Sequence, residues 1–191
     1  KYADQFPKKW IADCGDPFMK NGNTKEHLQF FARYEKMFCK ECDYITVPIE
    51  NAKEAYYPEF REKIRVIPQG FDFDLSAVGK TYVKNTVPTF AFAGMFYVDI
   101  RNPRKLLDYL CSVKQDFRFY VYTRFDALLV EKKKKMQGKL IVKKLIPRSD
   151  LLEIMKSMDF LVNIKNANSP NQLPSKLIDY GIAGRPILDV D

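Results

Sequence analysis

Seven polar residues crowd into twelve positions: Asn168, Ser169, Asn171, Gln172, Ser175, Lys176 and Asp179. Together they offer amides, hydroxyls, one ammonium and one carboxylate. Such a set can hydrogen-bond a hydroxyl-rich ligand and neutralise an anionic one. The Ser175 hydroxyl and the Lys176 ammonium can hold phosphate oxygens. Asp179, one helical turn on, can accept two ribose hydroxyls. A sugar-binding carboxylate one turn from a phosphate-binding cation suits a nucleoside diphosphate. The plainer reading of Asp179 is a solvated carboxylate pairing with Lys176 at i+3, worth only about a few tenths of a kcal/mol.

The flanking residues say what must position this set. An apolar run (Phe160, Leu161, Val162, Ile164) precedes it, and Pro174-Ser175 reads as a helix start. Gly184-Arg185-Pro186 ends that helix, and Ile187, Leu188 and Val190 form a second apolar run. A buried strand, a loop, a helix and another buried strand make the βαβ unit of a parallel sheet. Ligands of such sheets bind beyond the carboxyl ends of the strands, which is where the polar loop falls. A helix N-terminus there adds N–H donors for an anion.

Three further loops occupy the same end of the sheet. Thr89 to Gly94 is a buried strand ending in glycine, and Arg101-Asn102-Pro103 opens the next helix. Gly94 lets a backbone approach a phosphate closely, and Arg101 adds a charge-assisted contact. The other reading is an ordinary βα turn, since no GxGxxG fingerprint is present. Arg124 follows the strand over 117–122 and can reach a phosphate. Leu145-Ile146-Pro147 follows the strand over 140–142 and equally suits a plain helix start.

From Thr89 onward, strands and helices alternate without a break, which predicts a Rossmann-like parallel sheet. Helices are expected over about 125–136 and 147–157. Before residue 72 the spacing predicts strands at 10–13, 44–48 and 64–68, a long helix from Thr24 to about 42, and a short helix over 50–57. Phe30 and Phe31 read as core residues of the long helix. The chain therefore divides into 1–72, the closing part of one Rossmann-like domain, a linker over 73–87, and a second domain over 88–191.

Composition narrows the partners. The chain has 191 residues, 46% of them hydrophobic, and a formal net charge of +8. It is short for two complete α/β domains and begins with Lys1, so it reads as part of a longer protein. The positive balance favours anionic partners. A nucleic-acid binder would need a cationic strip with exposed aromatics, whereas the aromatics here fall on apolar faces. Cys14, Cys39, Cys42 and Cys111 lack a second pair to complete a zinc site, and His27 is the only histidine. Packed free thiols in a reducing cytosol are the expectation, with no metal. No apolar run nears the roughly 20 residues that span a bilayer. The run Lys132-Lys133-Lys134-Lys135 is either a solvated face or a contact for anionic lipid.

A resemblance ties these pieces together. Gln172-Leu173-Pro174-Ser175-Lys176-Leu177-Ile178-Asp179-Tyr180, followed by Gly184-Arg185-Pro186-Ile187, resembles the donor-binding segment of GT-B glycosyltransferases, above all family 4. There the pattern is Pro-Ser-Lys-Leu-x-Glu-Tyr, then Gly-Lys/Arg-Pro-Ile. Trp10 to Phe18 and Ile67-Pro68-Gln69-Gly70-Phe71-Asp72 are similar to segments of the same enzymes' N-terminal domain. The resemblance implies an incomplete N-terminal domain and a C-terminal domain that binds a nucleotide sugar. It implies transfer of the sugar to a hydroxyl acceptor in polysaccharide or glycolipid synthesis, with retained configuration, no metal and no cofactor. Cytoplasmic residence, with peripheral contact at the inner face of an anionic membrane, goes with it.

Carried over residue by residue, Arg101 and Lys176 face the diphosphate, with Gly94 and Ser175 beside them. Asp179 takes the ribose, standing where the family has Glu. Ile146 holds the base through its main chain, and Leu173 lies in the donor segment. Asn171 stands where the family has a second Glu near the donor sugar. The family's usual Arg after the glycine is Met95 here. The catalytic groups of the early N-terminal domain lie outside the chain, which on its own is expected to be inactive. Two other readings stay open: a non-catalytic nucleotide-sugar module, and a nucleotide-sugar epimerase of the same fold, which a single histidine disfavours.

Overall fold

The computed structural model describes residues 9–20, 30–70, 82–125, 127–166 and 174–191. These fall in two compact units, residues 9–70, and residues 82–166 with 174–191. The expected linker lies outside the described residues as far as residue 81.

The first unit is a parallel sheet of β1 (Ile11–Asp13), β2 (Tyr44–Val47) and β3 (Ile64–Val66), in that order. Between β1 and β2 runs α1 (Phe30–Glu41). It buries Glu35 and Cys39, followed by Cys42 just past its end, a spacing of four and three that forms one helical stripe. Phe30 and Phe31, expected in the core, are exposed. They sit in the first turn, ahead of the buried stripe, and meet Tyr34 and Phe18 ring to ring instead. The short helix expected over 50–57 is a 3-10 segment, Glu50–Ala55, followed by a second, Pro58–Lys63. Pro58 explains the break, because the residue before a proline is pushed out of the helical region, and Tyr57 is extended. All four cysteines are free thiols.

The second unit is a five-stranded parallel sheet. Its strands are β4 (Thr89–Ala93), β5 (Arg118–Tyr122), β6 (Leu140–Lys143), β7 (Phe160–Ile164) and β8 (Ile187–Val190). They lie in the order β6-β5-β4-β7-β8. Helices α2 (Arg104–Ser112), α3 (Val130–Lys135), α4 (Arg148–Lys156) and α5 (Lys176–Ala183) connect them. The alternating α/β pattern with parallel strands is the expected fold class. Central β4 is buried along its whole length, as a strand covered on both faces must be. On one face Phe90 stacks against Phe119 and Phe160, at 4.8 and 4.5 Å between ring centres, with Leu107 of α2 and Leu129 in the same core. On the other, Ala91 and Leu161 pack with Met155 of α4 and Tyr180 of α5. The helix expected from Phe125 begins at Val130, because the turn before it seats Leu129 in the core.

The chain leaves β4 toward β5 and β6, then returns to lay β7 and β8 on the other side. This reversal opens a crevice between the carboxyl ends of β4 and β7, the usual ligand position of such sheets. No described helix is long and apolar enough to cross a membrane.

Candidate functional site

The crevice is built from the ends of β4 and β7 and the start of α5. Tyr180 holds these three together. Its hydroxyl accepts the Ala93 N–H at 3.2 Å and donates to the Val162 carbonyl at 3.0 Å. Burial pushes this phenol up to about 12, so it stays protonated and keeps donating.

Gly94 ends β4 with φ of +138°, a backbone conformation that side chains strongly disfavour. Its N–H donates to the Tyr122 carbonyl at 2.9 Å. The chain then loops to Arg101, where Tyr97 and Arg101 pair across the loop. The Arg101 guanidinium turns back over the strand end. It donates from Nε and Nη2 to Asn166 Oδ1 at 2.9 and 2.7 Å, and from Nη1 to the Met95 carbonyl at 3.3 Å. Burial lowers its pKa from the ordinary value, although an arginine remains charged. Both main partners are neutral dipoles, so among the described residues its charge has no counter-ion.

Lys176 enters the same space from α5. Its Nζ is buried, lies 4.4 Å from the centre of the Phe92 ring, and has no hydrogen-bond partner among the described residues. Burial, and then the charge of Arg101, pull its pKa down to about 7; Asp189 opposes them. The plain reading of Asp179 is corrected by this geometry. Asp179 does not pair with Lys176 but with Arg148 of α4, whose Nε donates to Oδ1 at 2.8 Å, with Nη2 2.7 Å from the same oxygen. The reason is packing: α4 and α5 lie side by side on one face of the sheet, which brings their first turns together.

The other candidates are distributed as follows. Ser175 is exposed at the start of α5, and its hydroxyl makes no cap bond, which leaves it open to a ligand. The Ile146 side chain packs into the core beneath α4. Arg124 is exposed just beyond β5 and forms no hydrogen bond or ion pair among the described residues. Asn171 and Leu173 lie outside the described residues, as do Asn168, Ser169, Gln172 and His27. The structure thus brings Gly94, Arg101 and Lys176 to one crevice, with Ser175 and Asp179 on the helix that walls it.

Sequence reasoning missed three partners. Asn166 holds Arg101, Arg148 holds Asp179, and Phe92 lies beneath Lys176. Only Phe92 left a signal, as a large ring in a strand otherwise alternating with alanine. The other two depend on which loops the topology brings together.

No family model matches this chain, and no curated protein does. Among solved structures, it is similar to the lipopolysaccharide outer core galactosyltransferase WaaB in its apo form. The TM-score is 0.53 at 12% identity, over 78% of this chain and 43% of that one. The likeness shows the fold alone, an α/β fold with parallel sheets. This chain spans less than half of the length of that neighbour.

Proposed function

We propose that this chain supplies the donor-binding part of a glycosyltransferase. The reaction moves a sugar from a nucleoside diphosphate sugar to a hydroxyl acceptor, lipid-linked or a growing polysaccharide, with retained configuration. The observation that carries this is the convergence of Arg101 and Lys176 at the switch point of the sheet. Two cations with no carboxylate hydrogen-bonded to either among the described residues, one of them with a buried ammonium that has no partner there, form a site for a dianion. A diphosphate fits: it supplies the acceptors that Lys176 lacks and the counter-charge that Arg101 lacks.

The residues then take these roles. The N–H groups at the start of α5 and the Ser175 hydroxyl hold phosphate oxygens, and Gly94 lets the β4 loop approach them. Lys176 and Arg101 stabilise the negative charge that grows on the departing diphosphate. These donors are fixed by packing before the ligand arrives, which is how preorganised electrostatics lower a barrier. Asp179 receives the ribose hydroxyls, and Arg148 orients it. The base lies along the main chain at Ile146. The galactosyl transfer in the neighbour's name is consistent with a hexose donor.

Calorimetric titration of the chain with UDP, GDP and ADP tests this reading. The expected result is selective binding of one nucleotide, weakened in Lys176→Ala and Asp179→Ala. No binding of any of them by the full-length protein would overturn it. Asn171, at the position of a family carboxylate, favours one other reading: a module that binds the nucleotide sugar without transferring it. Binding by the full-length protein without turnover would select that reading.

A further inference from the structure

Besides Lys176 Nζ, one other buried side-chain polar atom of the second unit has no hydrogen-bond partner among the described residues: Oδ1 of Asn163. Asn163 is 4% exposed and is the one polar side chain in β7. A single bond holds its amide. Nδ2 donates to Asp189 Oδ1 at 2.6 Å, across the register pair that joins β7 to β8. The other Asp189 oxygen lies 3.4 Å from the Lys165 ammonium. A carboxylate only accepts, so this bond fixes which end of the Asn163 amide is left over: the acceptor.

The topology puts this acceptor opposite Lys176. Side chains alternate along a strand, and Leu161, two positions before Asn163, shares a core with Tyr180 of α5. Asn163 therefore stands on the α5 face of β7. Lys176 is one helical turn before Tyr180, whose hydroxyl donates to the Val162 carbonyl. In a βαβ unit the helix runs back against its strands, so a turn toward the start of α5 is a step toward the carboxyl end of β7. From Val162 that step leads to Asn163. Asp189, which holds Asn163, is also the carboxylate that opposes the lowering of the Lys176 pKa. The two leftover atoms are not bonded to each other, since each lacks a partner among the described residues.

Their chemistry specifies what a ligand must carry. A diphosphate esterified at both ends has acceptors alone. It satisfies Lys176 and offers nothing to Oδ1 of Asn163. A buried acceptor left unpaired calls for a donor. A sugar hydroxyl is a donor, and it can accept from the ammonium at the same time. The hydroxyl on the carbon next to the glycosidic bond is the sugar hydroxyl nearest the diphosphate, and so the one within reach of an acceptor beside Lys176.

We propose that Asn163 reads the 2-hydroxyl of the transferred sugar, with Asp189 as the positioning residue that keeps the amide oxygen turned toward it. This rests on the donor-site reading above. It adds a basis for choosing the sugar, which contacts to the diphosphate do not supply because every donor shares them.

Calorimetry of the full-length protein tests it. The probes are the nucleoside diphosphate that binds among UDP, GDP and ADP, and the glucose and 2-deoxyglucose sugars of the same base. The wild type should hold the glucose form about tenfold tighter than the 2-deoxy form, the typical contribution of one hydrogen bond. In Asn163→Leu that preference should vanish through weaker binding of the glucose form, with affinity for the free diphosphate unchanged. Asp189 is exposed on the outermost strand, so Asp189→Ala keeps the fold. It should reduce the preference without abolishing it. The ratio is the readout because a change in charge around Lys176 acts on both sugars alike. Equal affinity for the two sugars in the wild type would overturn the proposal. So would an equal loss of free-diphosphate and glucose-form affinity in Asn163→Leu, because Asn163 would then only support the surroundings of Lys176. In both outcomes the donor-site reading survives. Failure of every nucleotide to bind would sink that reading, and this inference with it.

Discussion

Each unit buries a charged side chain with one polar atom that has no partner among the described residues: Glu35 in the first, Lys176 in the second. The two are nevertheless opposites. The other oxygen of Glu35 accepts the Met19 N–H at 3.0 Å, while the Tyr57 hydroxyl donates to the Ala32 carbonyl at 3.3 Å. Glu35 therefore ties the loop after β1 onto α1. Its charge is answered from inside the fold. Lys176 has an aromatic ring beneath it and a like charge beside it, and its ammonium has no hydrogen-bond partner among the described residues. The difference shows that burial of a charge does not mark a ligand site. What marks one is a buried charge that the fold leaves unanswered at the end of the sheet where ligands bind.

Removing the two charges should therefore have opposite effects. Lys176→Met should weaken nucleotide binding by about a hundredfold, the value of a lost charge-assisted hydrogen bond. It should also make the second unit more stable, because a buried cation with no partner is replaced by an apolar chain of similar length. Glu35→Ala should destabilise the first unit by about 1–3 kcal/mol, since the Met19 N–H loses its acceptor. It should leave nucleotide binding unchanged. Hydrogen exchange reads the two units separately, and calorimetry reads the binding. Destabilisation by Lys176→Met would mean that Lys176, too, is answered within the fold, and the contrast would collapse.

The pH dependence sharpens the same contrast. The folded pKa of Lys176 is depressed to about 7, while in the unfolded chain it returns to the ordinary lysine value near 10.5. Between these values the unfolded chain holds a proton that the folded one lacks. The second unit should therefore gain stability as pH rises through that window, and the burial cost is fully present below it. Ligand binding runs the other way. An anionic diphosphate favours the charged ammonium, so above pH 7 binding must return the proton. Affinity should fall by up to about tenfold per pH unit above neutrality, with uptake of close to one proton. A nucleotide sugar is the better probe, because its phosphates are both esterified and do not titrate there. Calorimetry in buffers of different ionisation heat measures the uptake. In Lys176→Met both trends should disappear.

Much of this architecture was legible in the sequence because it rests on local patterns. The buried run Thr89-Phe90-Ala91-Phe92-Ala93 could only be a central strand. The order of strands and helices from Thr89 onward left a parallel sheet as the economical solution. Pro174-Ser175 announced the start of α5 within a residue or two. What remained hidden depends on contacts distant in sequence. Nothing near Asp179 says that Arg148, 31 positions earlier, will hold it. Nothing near Arg101 points to Asn166. The identity of Lys176 as a buried cation, not a surface one, also needed the fold: Phe92 beneath it comes from a strand 84 positions away. Misreadings came from local signals that tertiary packing overruled. Phe30 and Phe31 looked like core residues by hydrophobicity, yet they fall one turn ahead of the buried Glu35 and Cys39 and are exposed.

The smallest expected effect concerns the pair that the sequence did not show. Both Arg148 contacts fall on Oδ1 of Asp179, so among the described residues Oδ2 is left to accept a ligand hydroxyl. Arg148 is half exposed, and such pairs are worth about 0.2–1 kcal/mol. Its value to binding should thus be a matter of orientation more than of energy. Arg148→Gln is expected to weaken nucleotide binding by no more than about fivefold, at the upper end of that range. The informative quantity is the ratio of affinities for a nucleotide and its 2′-deoxy counterpart. Asp179→Ala should erase that ratio, because the carboxylate that reads the hydroxyl is gone. Arg148→Gln should reduce it without erasing it, because the carboxylate remains but is free to turn. If Arg148→Gln lowers both affinities equally, Arg148 acts on the ligand as a distant charge and does not position Asp179. If Asp179→Ala keeps the wild-type ratio, Asp179 belongs with Glu35, as a charge answered from inside the fold.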